Sequence, residues 1–550
     1  MKFSDVPYRR PELHTLTGVL RESAAGLSRA ADFDEADALM LSADAAVRRF
    51  DSAYAAAFVR SSADTEDDLL RVDMRLFDAA APKAERAEKK WLRAAAKSEF
   101  RAEFEAKYGR GFFAEEPEFH TFRRKREAAL ADEYASLLCA ARFDLGGREL
   151  TLTEAYARMR DPAPERRYAA WDAVGSFFGS HSEKLDCIFD RLVRVRSRMA
   201  GEKDYSRLRC RTLGRDLRED DRFHEAVVNI AVPLADRVFR GLAGRTGCRY
   251  PLSPADAELI NALPAPVCTA RELPGLAAEV MREMSPQTGE LADAVFGGGF
   301  ADTEHRPGKA GDTFCTALPD SGMPFVFADL TGSGYDAAAL FHELGHALAL
   351  YSARGILPAR LRIPSAAVSE TYAVCMEFFV RPYAELIFGS DAEEYRLSHL
   401  AQTVCAVPFE AMADRFQREV YEDPAMTPNA RCQKWLDLSR QYMPWLDMSA
   451  SPPFFASGRG WQRIAHLYGE PFYYLEYALA RCTAMQLLET ERAGADGAWA
   501  AYLSALSAGG TQSSMRLLET AGLSSPYDEA AVRGAFGAAE RLLEKSGRLG

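Results

Sequence analysis

The segment Leu340-Phe341-His342-Glu343-Leu344-Gly345-His346-Ala347 sets two histidines four residues apart around a glutamate, inside an apolar stretch that reads as a helix. Residues four apart on a helix stand one turn above each other on the same face, so His342 and His346 aim two imidazoles at one tetrahedral metal. Glu343 stands beside them, placed to take a proton from an attacking water rather than to bind the ion. That chemistry is metal-assisted hydrolysis. With nine histidines in 550 residues, a chance match on an ordinary buried helix arises in on the order of one such chain in a hundred. The pattern lacks a third protein ligand.

Two candidates lie on the next element. Gly355 is the expected C-cap of the motif helix, Pro358 and Pro364 interrupt regular structure, and Ser365 is the expected cap of a helix from Ala366 to Val380. That helix carries Glu370 and Glu377 on one face, about 10 Å apart along the axis at 1.5 Å rise per residue, so at most one reaches the ion directly. Geometry alone does not choose between them.

In Ser369-Glu370-Thr371-Tyr372-Ala373-Val374-Cys375-Met376-Glu377-Phe378-Phe379 the chain resembles the thimet oligopeptidase and oligoendopeptidase F family of zinc peptidases. In that family a Glu somewhat beyond the second His is the third ligand, and another Glu follows seven residues later. The resemblance therefore assigns the ligand to Glu370 and makes Glu377 the carboxylate that orients a ligand histidine.

The elements around the motif must position a substrate. Thr313 to Leu318 and Pro324 to Asp329 are β-prone runs joined by Pro319-Asp320-Ser321-Gly322, which reads as a hairpin just before the motif helix. An edge strand there can hold an extended peptide by backbone hydrogen bonds. The resembled family has a substrate-contacting sheet in this position, which implies that Thr313, Phe314 and Cys315 meet the peptide. Downstream, Phe454 to Trp461 and Gln462 to Ala478 gather aromatic residues around His466. Such clusters usually pack, yet a phenol or imidazole can also donate to the oxyanion formed as water adds to a carbonyl. The resemblance implies that role for His466 and Tyr477. Thimet oligopeptidase has a tyrosine where this chain has Glu470, so Tyr473 or Tyr474 is the candidate for the second phenol contact. Gly458 and Gly460 resemble a glycine loop near the substrate.

A net charge of −12, from 68 basic and 80 acidic residues, argues against nucleic-acid and anionic-membrane partners, which need a positive surface. No apolar h-region follows Met1 to Arg10 and no stretch approaches eighteen apolar residues, so the expectation is a soluble, unexported, cytoplasmic protein. Ten scattered cysteines without a CxxC pair read as buried, reduced thiols. Asp32 to Gly109 reads as helices broken at Pro82 and at Asp64 to Asp68. Turns at Gly146-Gly147 and Asp161-Pro162 suggest an N-terminal helical lobe, 1–155, and a catalytic domain, 156–550. The Arg191 to Arg198 stripe reads as a solvated helix face. His14 and His120 read as structural, His305 as solvent-exposed in a polar loop, and His399 as an ordinary helix residue.

The resemblance implies a mainly helical, two-lobed ellipsoid with a deep channel and a small sheet beside one Zn2+. The implied function is an endopeptidase of short peptides using a water-activating Glu343. The rivals are a zinc carboxypeptidase or dipeptidase, with Arg459 or Arg463 capturing the terminal carboxylate, and a non-catalytic peptide-binding scaffold. The latter would normally have lost a ligand or the base.

Overall fold

Helices dominate the computed structural model, which describes residues 2–6, 10–109, 112–113, 121–201, 204–491 and 496–550. His120 lies outside the described residues. Near the N-terminus run α1 (Leu13–Leu27), α2 (Phe33–Ala63), α3 (Asp68–Ala96) and α4 (Arg101–Tyr108). Asp32 and Asp67 cap α2 and α3 by accepting backbone N–H groups, which explains why the acidic cluster separates the two helices. Their apolar faces close a core from Leu16 to Phe112, apart from the larger core that runs from Leu130 to Leu543.

One proline corrects the sequence reading, and a second behaves the same way. Pro82 lies inside α3, and Pro408 lies inside the long helix Ala392–Glu422. Each costs a helical hydrogen bond, but burial along both flanks outweighs the local penalty.

The turn at Gly146-Gly147, both with positive φ, joins β1 (Phe143–Asp144) to β2 (Glu149–Leu150). The second sheet holds β3 (Ala301–Glu304), β4 (Phe314–Leu318) and β5 (Met323–Leu330) in the order β3-β5-β4. β4 and β5 form the expected antiparallel hairpin, whereas the parallel partner β3 has no clear signature in its four residues, Ala-Asp-Thr-Glu. A third small core joins this sheet to Ala56 and Val59 of α2.

Other expectations shift at side-chain level. The motif helix, Gly334–Ser352, ends on Ala353 rather than on a left-handed Gly355. His305 is not a free loop residue, since its Nδ1 is 2.9 Å from Asp329 Oδ1. All ten cysteines are free, but only five are buried; Cys139 and Cys187 are exposed. The basic stripe lies on the single helix Pro164–Ala200, and Arg196 within it is fully buried rather than solvated. No helix among the described residues is long and apolar enough to cross a membrane.

Candidate active site

The motif helix starts at a closed cap. Ser333 accepts from Asp336 N, and Asp336 Oδ2 accepts from the backbone N–H of Thr331, Gly332 and Ser333. The helix crosses the Glu370 helix, Ala366–Phe379, at Gly345. A Cβ at Gly345 would lie 2.8 Å from Ala373 Cα and 2.9 Å from Met376 Cβ. The glycine between the histidines therefore lets two backbones approach closely enough for Glu370 to reach them.

Ligand atoms of His342, His346 and Glu370 all lie within 4.8 Å of one another. Glu370 Oε2 is 3.2 Å from His342 Nε2 and 3.7 Å from His346 Nε2, yet this buried oxygen has no hydrogen-bond donor. Two imidazole nitrogens and an unsatisfied carboxylate oxygen converging on one point are a donor set that would hold Zn2+. Glu377 takes the other side of His342: Nδ1 is 2.8 Å from Glu377 Oε1, a contact that holds the proton on Nδ1 and would free Nε2, which faces Glu370 Oε2, for a metal.

Charge follows from these contacts. Burial works to raise the carboxyls of Glu370 and Glu377, but neighbouring imidazoles outweigh it and hold both well below the usual range. For His342 burial opposes the charged form, and the two glutamates overcome it, raising its affinity for a proton or a metal. Glu343 differs. It is 7% exposed, Oε2 has no partner, and burial raises its carboxyl above the ordinary value.

A second wall comes from the segment His466 to Tyr477. Buried arginines fasten its backbone: Arg196 donates to the carbonyls of Leu467 (3.0 Å) and Tyr468, while Arg215 donates to that of Phe472 (3.1 Å). Phe472, with φ of 66°, is the non-glycine residue with positive φ among those described, and Gln417 accepts its N–H at 2.9 Å. A left-handed phenylalanine persists only where its surroundings over-determine it. Here it turns the chain so that three tyrosines face His466.

Tyr473 donates to Glu370 Oε1 at 2.5 Å. The Tyr477 hydroxyl is 3.3 Å from His466 Nε2, with Glu370 and Glu343 adding to the burial that keeps the phenol protonated. Burial lowers His466, favouring neutral imidazole. The Tyr474 ring is 5.2 Å from the His466 ring. Glu470 is turned away and pairs with Arg209 at 3.5 Å.

On the opposite wall β4 is an edge strand, and Glu343 adds to the burial that raises the Cys315 thiol, placing Cys315 beside the motif glutamate. Phe314 points the other way, stacked on Phe327 at 4.7 Å and tilted against Phe58 of α2 at 4.8 Å. Only its backbone is free to meet a peptide. Thr313 is exposed just before the strand.

Sequence reasoning missed three participants. His399, 1% exposed, donates from Nε2 to Glu377 Oε2 at 2.7 Å. Arg196 and Arg215 hold the tyrosine segment. None has a local signature, because each partner comes from a distant element.

Residues 3–117 match the peptidase M3 N-terminal domain, and residues 283–535 match peptidase family M3. A solved structure assigned to oligoendopeptidase F is 30% identical with a TM-score of 0.95, covering 99% of both chains. The chain belongs to peptidase family M3. Pz peptidase A with a bound inhibitor gives 29% identity, a TM-score of 0.95 and 99% coverage of each chain. A structure assigned to oligoendopeptidase F of Bacillus anthracis gives 27%, a TM-score of 0.90, and 99% and 98% coverage. No curated protein sequence matches the chain. This M3 metallopeptidase shares with those structures the mainly helical fold and small sheet described above.

Proposed function

We propose that this M3 peptidase is a zinc-dependent endopeptidase acting on short peptides. The observation that carries the reading is the convergence of His342, His346 and Glu370 beside a buried Glu343 with an unpartnered oxygen. Those three residues would hold a zinc, which would supply a Lewis acid for the scissile carbonyl and lower the pKa of water to about 7. Glu343, with its raised proton affinity, accepts the proton of the attacking water and passes it to the departing amine nitrogen. Tyr477, and His466 beside it, donate hydrogen bonds to the oxygen that gains charge during attack. The backbone of Thr313, Phe314 and Cys315 pairs with the extended peptide, and Tyr473 or Tyr474 adds a phenol contact.

The proposal also divides the chain into an N-terminal helical lobe, 1–155, and a catalytic part, 156–550. The two main hydrophobic cores support two lobes, with Leu130 and Tyr134 already in the larger one.

Glu343→Gln is expected to retain one zinc per chain and lose at least about a hundredfold to ten-thousandfold in turnover, since an amide cannot accept the proton. A peptide acetylated and amidated at its ends is expected to be cut internally by the unsubstituted enzyme. Substantial turnover of fully metallated Glu343→Gln removes Glu343 as base. Cleavage confined to peptides with a free C-terminus points instead to a carboxypeptidase.

A further inference from the structure

Arg463 closes the short turn Gly460–Arg463, three residues before His466. Its guanidinium lies 5.5 Å from the Trp171 ring centroid and 5.8 Å from that of Phe455. Other arginines of this interior meet carboxylates: Arg196 meets Glu127, Arg431 meets Asp186 and Asp190, and Arg481 meets Glu410. Arg459, the other cation of this segment, donates to Ser457 Oγ. Among the described residues Arg463 makes no comparable hydrogen bond or ion pair, although it is half-buried.

Its charge reaches the phenols of Tyr156 and Tyr474, where it works against the effect of burial. Tyr474 is one wall of the cluster containing His466 and Tyr477, with ring centroids 5.2 and 5.9 Å away. Arg463 lies three residues before His466 in the chain, and its charge is felt at Tyr474, which borders that cluster. Aromatic contact covers guanidinium faces and leaves the N–H edge for an in-plane, bidentate acceptor. No Arg463 nitrogen is among the fully buried, unpartnered side-chain atoms, so its N–H edge stays open to water and to such an acceptor.

We propose that Arg463 is a specificity-determining subsite that binds a carboxylate of the substrate peptide, either an acidic side chain or the free C-terminus. This rests on the peptidase reading of the neighbouring metal site.

The test measures peptide binding to zinc-loaded Glu343→Gln, in which chemistry is blocked. One sequence is supplied as the C-terminal acid, as the C-terminal amide, and as amides carrying an internal Glu or Gln. At least one carboxylate peptide is expected to bind about tenfold to a hundredfold tighter than its neutral counterpart. Arg463→Met in the same background is expected to erase that difference while leaving the neutral peptides within about twofold. Arg463→Gln, which keeps a planar end group on the aromatic rings, is expected to do the same. Whether the acid–amide or the Glu–Gln pair shows the difference identifies the source of the carboxylate.

Equal binding of all four peptides before Arg463 is changed overturns the proposal. So does an equal loss for charged and neutral peptides in both variants, which makes Arg463 a packing brace. If no peptide binds and the unsubstituted enzyme cleaves none, the peptidase reading itself fails and takes this subsite with it.

Discussion

Glu377 accepts from His342 through one oxygen and from His399 through the other, so the proposed ligand His342 is oriented by a carboxylate that is itself oriented. On the proposed assignment, removing Glu370 takes a ligand oxygen, whereas removing Glu377 or His399 only loosens the aim of His342. Glu370→Ala is therefore expected to lose zinc far more completely than Glu377→Ala. His399→Ala, one link further out, is expected to weaken zinc by no more than the ~10- to 100-fold typical of such orienting residues. Competition against a chelator of known affinity measures all three, and equal metal loss in Glu370→Ala and Glu377→Ala reverses the ligand assignment. Tyr477→Phe is expected to lower kcat roughly a hundredfold with little change in KM, because in the proposed mechanism its phenol serves an oxygen that becomes charged only in the transition state. A normal kcat returns Tyr477 to a packing role. At this scale the sequence was informative where chemistry is local: His342, Glu343 and His346 share one turn, and the Glu370–Glu377 spacing is helical. His399 was illegible because its partner lies on another helix, and a lone histidine on an amphipathic helix gives no sign of which way it faces.

The crossing of the motif helix over the Glu370 helix depends on Gly345, which leaves no space for a side-chain atom above Ala373 and Met376. Alanine suits a helix better than glycine by about 1 kcal/mol. Here overpacking, typically ~1–3 kcal/mol, wins because the obstruction is backbone on the facing helix. Gly345→Ala is expected to lower the denaturation midpoint and, by moving Glu370 off the histidines, to weaken zinc binding. An exposed-helix control such as Gly244→Ala, whose added Cβ meets nothing within 4 Å, should do neither. A stabilised Gly345→Ala with unchanged zinc affinity would show that the crossing relaxes freely. Other element features escape sequence for the same reason that Gly345 can be misread: tertiary packing overrides local preference. Pro82 and Pro408 sit in helices that continue through them, and β3 is four residues held only by pairing with β5. The β4–β5 hairpin was legible because two β-prone runs flank a turn-rich link.

Behind the tyrosine segment a buried ionic cluster joins remote parts of the chain, and its charges do not balance. Arg215 and Arg418 supply two cations to Asp220, Asp414 and Glu476, three carboxyls with side chains fully buried. His224 hydrogen-bonds to Asp414, and Tyr527 donates to Asp220. Asp414 thereby receives Arg418, Arg215 and His224, which outweigh its burial and hold it low. Glu476 is left with both oxygens lacking a hydrogen-bond donor, and burial outweighs Arg215, raising its carboxyl to about 8. It keeps its proton in the folded protein at neutral pH and loses it in the unfolded chain. The folded state then binds the extra proton, so the contribution of Glu476 to stability is full below the ordinary glutamate value of 4.5 and is lost as pH rises through about 8. Across that window stability should fall by at most ~1.4 kcal/mol per pH unit from this group and level off above it. Glu476→Gln keeps the shape without the titration, and its denaturation midpoint should lack that slope. Chemical denaturation of both proteins from pH 5 to pH 9.5 makes the comparison; parallel profiles would place the uncompensated proton on another carboxyl of the cluster, and Asp220, also raised by burial, is the next to replace.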